Sequence, residues 1–298
     1  MKTGEKKKYF YAHYTLDICI NTSYNSIIVS AGHSFRERNK RRKSIMKKIL
    51  AFALALAMIL TCSLALADRL DDIKAAGKLT VATSPDWPPY EYIDDNGDIV
   101  GTDILMCQWI AEQLGVELEI QPMAFDACLA AVGNGSVDMM VAGMTYDEER
   151  LNRMELTGIY WNEGDQGLLV KKGVGASLNS VEAFDGKNVA AQNGTNQQIM
   201  VEEQLPNAKL ELVTKIPDGV NMVKTGRVDA LAVPKTVYDN VLAENDDLEI
   251  ADFAFDFEGG NYIASVKGEK ALAEKIQELI NQINAEGLYQ KWLDEIQK

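Results

Sequence analysis

Residues 141–150 read Val-Ala-Gly-Met-Thr-Tyr-Asp-Glu-Glu-Arg, the tail of an apolar run that turns through Gly143 and enters a helix. Thr145 and Glu148 stand three apart, as in a capping box, so Thr145 is the expected N-cap. Free backbone N–H groups and the positive end of the helix dipole would then face a bound group. Arg150 follows about one and a half turns later. Its planar fork can hold a carboxylate through two parallel bonds. The expected chemistry is an anion seat at the carboxyl end of a parallel strand, where open α/β sheets hold ligands. The same residues would also make an ordinary capped helix, with Arg150 paired to Glu148 or Asp147.

Other residues could complete such a seat. Trp87 lies in a proline-stiffened loop, 84–90, and offers a face to a cation. Phe125 opens a helix and is either a second ligand contact or plain core. Asn193-Gly194-Thr195 precede another helix start, which is a second anion seat or an ordinary turn. Tyr146 and Tyr160 read as packing, and the acidic run 244–247 as a solvated loop.

The elements that must position these residues alternate. Strands are expected at 79–83, 116–121 and 137–141, with helices at 103–114 and 125–132 between them. A short lead-in helix precedes them at 68–77. The turn Asp94-Asp95-Asn96-Gly97 marks a hairpin between 91–93 and 99–100. The rhythm breaks at 160–167, and a new run begins at 168–170. A short helix at 180–184 and a second set of the same build follow: strands at 188–191, 210–213 and 228–233, helices at 196–204, 218–225 and 236–243. A strand at 262–266 and an amphipathic helix close the chain, the latter with Leu272, Ile276, Leu279, Ile280 and Ile283 on one stripe. Gly287 punctuates it before a last apolar face. Strands alternating with helices imply βαβ units and parallel sheets. Two such lobes facing each other imply a ligand cleft between them.

The 298 residues suffice for about two domains, and 47% of them are apolar. The first 67 differ from the rest. Lys47 and Lys48 precede an apolar stretch, 49–60, that ends in Ala65-Leu66-Ala67. That is a charged region, a hydrophobic region and an A-x-A site, so 46–67 is read as a secretory signal cleaved before Asp68. A retained membrane span is the minority reading. Residues 1–45 fit neither pattern and are read as a non-native upstream extension, with Met46 the true start.

The first 67 residues hold 12 of the 30 Lys+Arg and 3 of the 44 Asp+Glu, which leaves 18 basic and 41 acidic side chains and a formal charge of −23. Duplex nucleic acid is a poor partner for such a surface. Both histidines, His13 and His33, also fall in that segment. Ser-His and Cys-His catalysis and histidine-ligated metals are thereby excluded from the mature chain, and no cofactor or metal is expected. Cys62 lies in a weak lipidation context. Cys107 and Cys128 sit on apolar helical stripes and read as buried thiols, with a disulfide open in an exported protein.

Taken in order, several stretches resemble the bacterial family 3 extracellular solute-binding proteins, the polar amino-acid receptors of ABC importers. They are Thr83-Ser84-Pro85-Asp86-Trp87-Pro88-Pro89-Tyr90-Glu91, Gly101-Thr102-Asp103-Ile104, Phe125-Asp126, Ala142-Gly143-Met144-Thr145 with Glu149-Arg150, Gln192-Asn193-Gly194-Thr195, and Gly226-Arg227-Val228-Asp229-Ala230. The resemblance runs from about residue 79 to the C-terminus.

It implies an α/β, type II periplasmic-binding-protein-like fold: hinge-linked parallel sheets with helices on both faces. Lobe 1 would be 68–160 plus 262–298 and lobe 2 166–256, with hinge segments 161–165 and 257–261. The implied function is an extracellular or periplasmic receptor, acting as a monomer and free or membrane-anchored. It captures an amino acid or related carboxylate by hinge closure and delivers it to a permease.

In the family, residues matching Trp87 and Phe125 sandwich the ligand side chain. Those matching Ala142, Gly143 and Thr145 give polar contacts, and the match of Arg150 grips the α-carboxylate. The turn matching Gln192, Gly194, Thr195 and Asn196 contacts the ligand from lobe 2. Two positions depart from the pattern. Val233-Pro234 stands where α-amino-acid binders usually carry an Asp for the ammonium, and Ser84 where some members have a carboxylate. Either another acid substitutes, with Glu163 and Asp165 as candidates, or the ligand lacks a free amino group. An alternative on the same scaffold is a periplasmic cyclohexadienyl or arogenate dehydratase, with Glu163, Asp165 or Tyr146 as the proton donor. A membrane-tethered sensor is a third reading, weakened by the stop at Lys298.

Overall fold

The structure is a computed structural model and describes Met46 and residues 68–297. The expected extension and signal segment lie otherwise outside the described residues. Helix α1 (Arg69–Ala76) leads into β1 (Lys78–Thr83), capped by Asp68 and closed by Gly77 in the left-handed region. Then come β2 (Asp86–Trp87), β3 (Glu91–Ile93), β4 (Ile99–Val100), α2 (Thr102–Leu114), β5 (Glu117–Pro122) and α3 (Phe125–Gly133). The short β6 (Met139–Met140), α4 (Glu148–Leu151) and β7 (Met154–Leu156) complete this half. The chain next builds β8 (Gln166–Lys171), β9 (Asn188–Gln192), α5 (Asn196–Gln204), β10 (Lys209–Val213) and α6 (Ile216–Thr225). It continues through β11 (Ala230–Pro234), α7 (Lys235–Glu244) and β12 (Leu248–Ala254), then returns with β13 (Ala264–Val266), α8 (Lys270–Glu286) and α9 (Leu288–Ile296).

Two five-stranded sheets result, in the orders β5-β1-β6-β13-β7 and β10-β9-β11-β8-β12, with a small β2-β3-β4 sheet beside the first. The fold is thus two-lobed α/β. The expected all-parallel sheets are corrected to mixed ones. β13 runs antiparallel to β6 and β7, and β8 runs antiparallel to β11 and β12. The reason is connectivity: β8 and β13 each follow directly on a crossing segment. They enter their sheets against the direction that the βαβ units impose. The two crossing segments touch, for Asn261 N–H donates to Trp161 O at 2.7 Å.

Each core follows from its pattern. β11 is buried at every position, as a strand covered on both faces must be. The α8 stripe of Leu272, Ile276, Leu279, Ile280 and Ile283 is buried as its 3.6 spacing demands. Cys107 and Cys128 are buried and unpaired. No helix among the described residues is long and apolar enough to cross a membrane.

Candidate functional site

The loop after β1 carries chemistry because Gly101 lets another segment approach it. Gly101 has φ +126°, and a Cβ there would meet Tyr90 O at 2.1 Å. With that clash absent, α2 starts directly beneath Tyr90 and delivers Asp103, fully buried, under the loop. Gly143, at φ +54°, plays the matching part after β6. A Cβ there would lie 3.2 Å from both Glu163 Oε1 and Trp87 Nε1, so the backbone passes between them.

Between the lobes lies a small, largely closed cavity. From lobe 1 it is lined by Ser84, Trp87, Phe125, Ala142, Gly143 and Thr145, and from lobe 2 by Gln192, Thr195 and Asn196. These are nine of the eleven residues expected from sequence. Arg150 and Gly194 are brought together beside the cavity instead. Arg150 is buried, with its Cζ 5.8 Å from the centroid of the Phe125 ring. It donates from Nη1 to Thr145 O at 2.6 Å and from Nη2 to Gly194 O at 2.9 Å, so its fork spans the two lobes. Burial lowers its pKa to about 10, which leaves it charged at neutral pH. It faces neither bulk water nor the acids 147 and 148 in a bridge; among the described residues no ion pair involves it.

The capping box is corrected. Asp147, not Thr145, caps α4 by accepting from Glu149 N–H at 2.6 Å. Thr145 sits instead in an isolated antiparallel bridge with Asn261. The crossing segment claims its backbone and delays the helix by two residues. α4 is four residues long, too short to contribute much dipole at its tip. The helix-tip half of the Arg150 seat is therefore absent on lobe 1. Lobe 2 supplies a better one: Thr195 caps the nine-residue α5 and lines the cavity.

Three lining residues were not singled out in the sequence: Asp86, Glu91 and Gln197. Two are carboxylates. Glu91 is 1% exposed and lies against Asp103, and its Oε2 has no hydrogen-bond partner among the described residues. Burial, together with the charges of Asp103, Glu163 and Asp86, pushes its pKa well above the usual carboxylate range. Asp103 also rises through burial, although Tyr289 and Tyr160 hydroxyls donate to it at 2.6 and 2.7 Å. One layer behind Gly143, Glu163 accepts from Trp87 Nε1 at 3.2 Å and Asn261 Nδ2 at 2.9 Å. Burial raises its pKa to about 7, and its Oε2 is also without a partner among the described residues. Of the two acids expected to replace the missing one after β11, Glu163 is buried at this site and Asp165 is exposed. Pro234 itself is buried in β11, paired with Gln166. Tyr160 is packed through Asp103, and Tyr146 is 46% exposed.

The cavity is thus amphipathic and acidic. Two rings, two carboxylates and neutral amides and hydroxyls line it, and among the described residues no Lys or Arg does. No group of histidines, cysteines and carboxylates among the described residues has metal-binding geometry.

The model of the bacterial extracellular solute-binding proteins, family 3, matches residues 79–296. The chain belongs to that family. It is 26% identical over 228 residues to the L-cystine-binding protein TcyJ of Escherichia coli, covering 75% of this chain and 85% of that one. It is 30% identical over 223 residues to the arginine-binding extracellular protein ArtP of Bacillus subtilis, covering 72% and 86%. A crystal structure of an amino acid ABC transporter substrate-binding protein from Streptococcus pneumoniae, bound to L-arginine, superposes with a TM-score of 0.73 at 34% identity. That match covers 77% of this chain and 97% of the other. These relatives bind solutes and are not enzymes, so the receptor reading stands over the dehydratase alternative.

Proposed function

We propose that this protein is the amino-acid receptor of an ABC importer, outside the cytoplasmic membrane, and that its ligand is a cationic amino acid. The observation that carries the charge is the cavity wall. Glu91 lines the enclosed space, no Lys or Arg among the described residues lines it, and Glu91 retains an oxygen without a donor. A buried acid in that position is costly until a cation arrives. Trp87 and Phe125 add two ring faces, and a guanidinium or ammonium stacks on such faces. The ligand's carboxylate goes to the other end, where Arg150, Thr145 and the α5 tip at Thr195 meet. Glu163, behind Gly143, keeps the potential negative and takes over the role of the acid that Pro234 displaces. The lobes hinge at 161–165 and 257–261, and closure on the solute presents one shape to the permease.

A relative bound to L-arginine supports the ligand class. The test is thermal unfolding with L-arginine, L-lysine, L-citrulline, L-glutamine and L-glutamate. A bound ligand raises apparent stability by mass action. Arginine or lysine should raise the melting temperature by several degrees at millimolar concentration, and citrulline, its neutral isostere, by much less. Stabilisation by glutamate or glutamine without a response to either cation would overturn the reading.

A further inference from the structure

Asp86 faces the cavity, but its oxygens are already engaged. Oδ1 accepts from Ser84 Oγ at 2.7 Å, within lobe 1. Oδ2 accepts from two donors of lobe 2: Gln192 Nε2 at 3.0 Å and the Ile216 backbone N–H at 2.9 Å. A carboxylate oxygen has two lone-pair sites, so Oδ2 is filled. Oδ1 keeps one site, so Asp86 has less capacity for a ligand than Glu91, whose Oε2 has no partner among the described residues.

What Asp86 holds is also particular. Ile216 is the first residue of α6, and its N-cap, Lys215, makes no side-chain cap bond. Pro217 has no N–H, so the first turn has few donors and Ile216 offers one of them. A carboxylate belongs at that end of the dipole. Helix α6 therefore takes its cap from the other lobe. Gln192 is held for the same purpose, since its Nε2 also donates to Thr214 O at 3.1 Å. If the lobes part, Asp86 loses both lobe 2 donors at once, and α6 loses its cap.

We infer that Asp86 is an interlobe latch: a positioning residue whose carboxylate caps α6 across the cleft and sets the balance between shut and parted lobes. It acts beside the ligand, through closure, whereas Glu91 acts on the ligand's charge. This rests on the two-lobed closing receptor and not on the identity of the solute. A closed state stabilised before ligand arrives raises apparent affinity by the fraction of chains already competent.

The test uses the chain from Asp68, without ligand and without Cys19 and Cys62 of the leading segment. Glu112→Cys in lobe 1 and Glu203→Cys in lobe 2 are both exposed and accept a fluorophore pair, while Cys107 and Cys128 are buried. The parent should show a short-distance population by single-molecule energy transfer. Asp86→Ala should deplete it roughly tenfold, the change expected when a charge-assisted pair of bonds is lost. Asp86→Asn should restore part of it, because its amide oxygen still accepts from Ile216 N–H. If Asp86→Ala does not fold, Ile216→Pro deletes the donor from the other side. Lys215 is already extended there, at φ −134° and ψ 143°, as a residue before proline must be. Depletion by Ile216→Pro supports the latch. A parent that shows only long distances, or variants with the parent's distribution, overturns it. A failed arginine response would leave this result standing, and a failed latch would leave the ligand class standing.

Discussion

The two walls of the cleft are built from different chemistry. Lobe 1 brings the cavity's charge and both rings: Asp86, Glu91, Trp87 and Phe125, backed by Asp103 and, from the crossing segment, Glu163. Lobe 2 brings only neutral donors and acceptors, Gln192, Thr195, Asn196 and Gln197, together with two helix starts. Its donors reach lobe 1 carboxylates, Gln192 and Ile216 at Asp86 and Asn193 at Asp126, rather than a ligand charge. Lobe 1 therefore decides what binds, and lobe 2 decides how tightly the cleft shuts. Acids accumulate on lobe 1 because a tyrosine cage and the β2-β3-β4 sheet can bury them there. Tyr160 and Tyr289 satisfy Asp103 and leave Glu91 strained by its neighbours' charge.

Arg150 is the exception that joins the walls, and its loss is the largest effect expected. Arg150→Ala removes the carboxylate's partner and the bond to Gly194 O together. Truncating one member of a buried charge pair costs about 2–5 kcal/mol, so L-arginine affinity should fall by at least about 30-fold and up to several thousandfold. Titration calorimetry reads it. Full affinity in the variant would remove Arg150 from the site and leave lobe 1 with acids alone.

The next effect separates the walls by pH. Glu163 has a folded pKa of about 7 against the ordinary 4.5 of a glutamate. The folded state then binds more protons than the unfolded one between those values, so stability falls as pH rises through the window. The full cost, on the order of 3 kcal/mol, is present above pH 7 and absent below pH 4.5. Urea midpoints of the ligand-free protein should fall between pH 5 and pH 8, and Glu163→Gln should flatten part of that fall. Equal slopes in the two proteins would contradict a buried, strained Glu163.

The location of the charge was only partly legible in the sequence. The nine lining residues that were expected come from motifs whose order is specific, and the aromatic pair is where that order puts it. Asp86 and Glu91 stood inside the same quoted motif and were passed over. An acid in a proline-rich loop looks solvated until the approach permitted by Gly101 brings α2 beneath it. Thr145 misled for a related reason. Thr-x-x-Glu is a cap signal, but Asn261, 116 positions away, pairs with the Thr145 backbone and wins. β7 and β12 were missed because they flank strands that reverse direction after a crossing, and alternation of strand and helix does not announce them.

Glu91 tests the charge assignment directly. Burial and the charges of Asp103, Glu163 and Asp86 raise its pKa in the ligand-free protein, and a bound cation favours the ionised form. Affinity for L-arginine should therefore rise with pH while the stability of the free protein falls. Calorimetry in two buffers of different ionisation enthalpy should show proton release on binding. Glu91→Gln should weaken arginine by about 2 kcal/mol, roughly 30-fold, and barely affect L-citrulline. A variant that loses both ligands equally would make Glu91 a scaffold residue.

The smallest effect is expected on the opposite wall. Gln197 is buried at the start of α5 and donates to Gln166 Oε1 at 2.8 Å. Both residues belong to lobe 2, so truncation to Ala leaves Gln166 short of a partner and loosens that wall at a cost of about 1 kcal/mol. Arginine affinity should fall by no more than about fivefold, expressed in the dissociation rate, where changes in a binding wall mostly act. The ratio of citrulline to arginine dissociation constants should stay at the parent value, because no charge on lobe 1 has moved. If Gln197→Ala changes that ratio as much as Glu91→Gln does, selection and closure are not divided between the lobes, and lobe 2 also reads the ligand's charge.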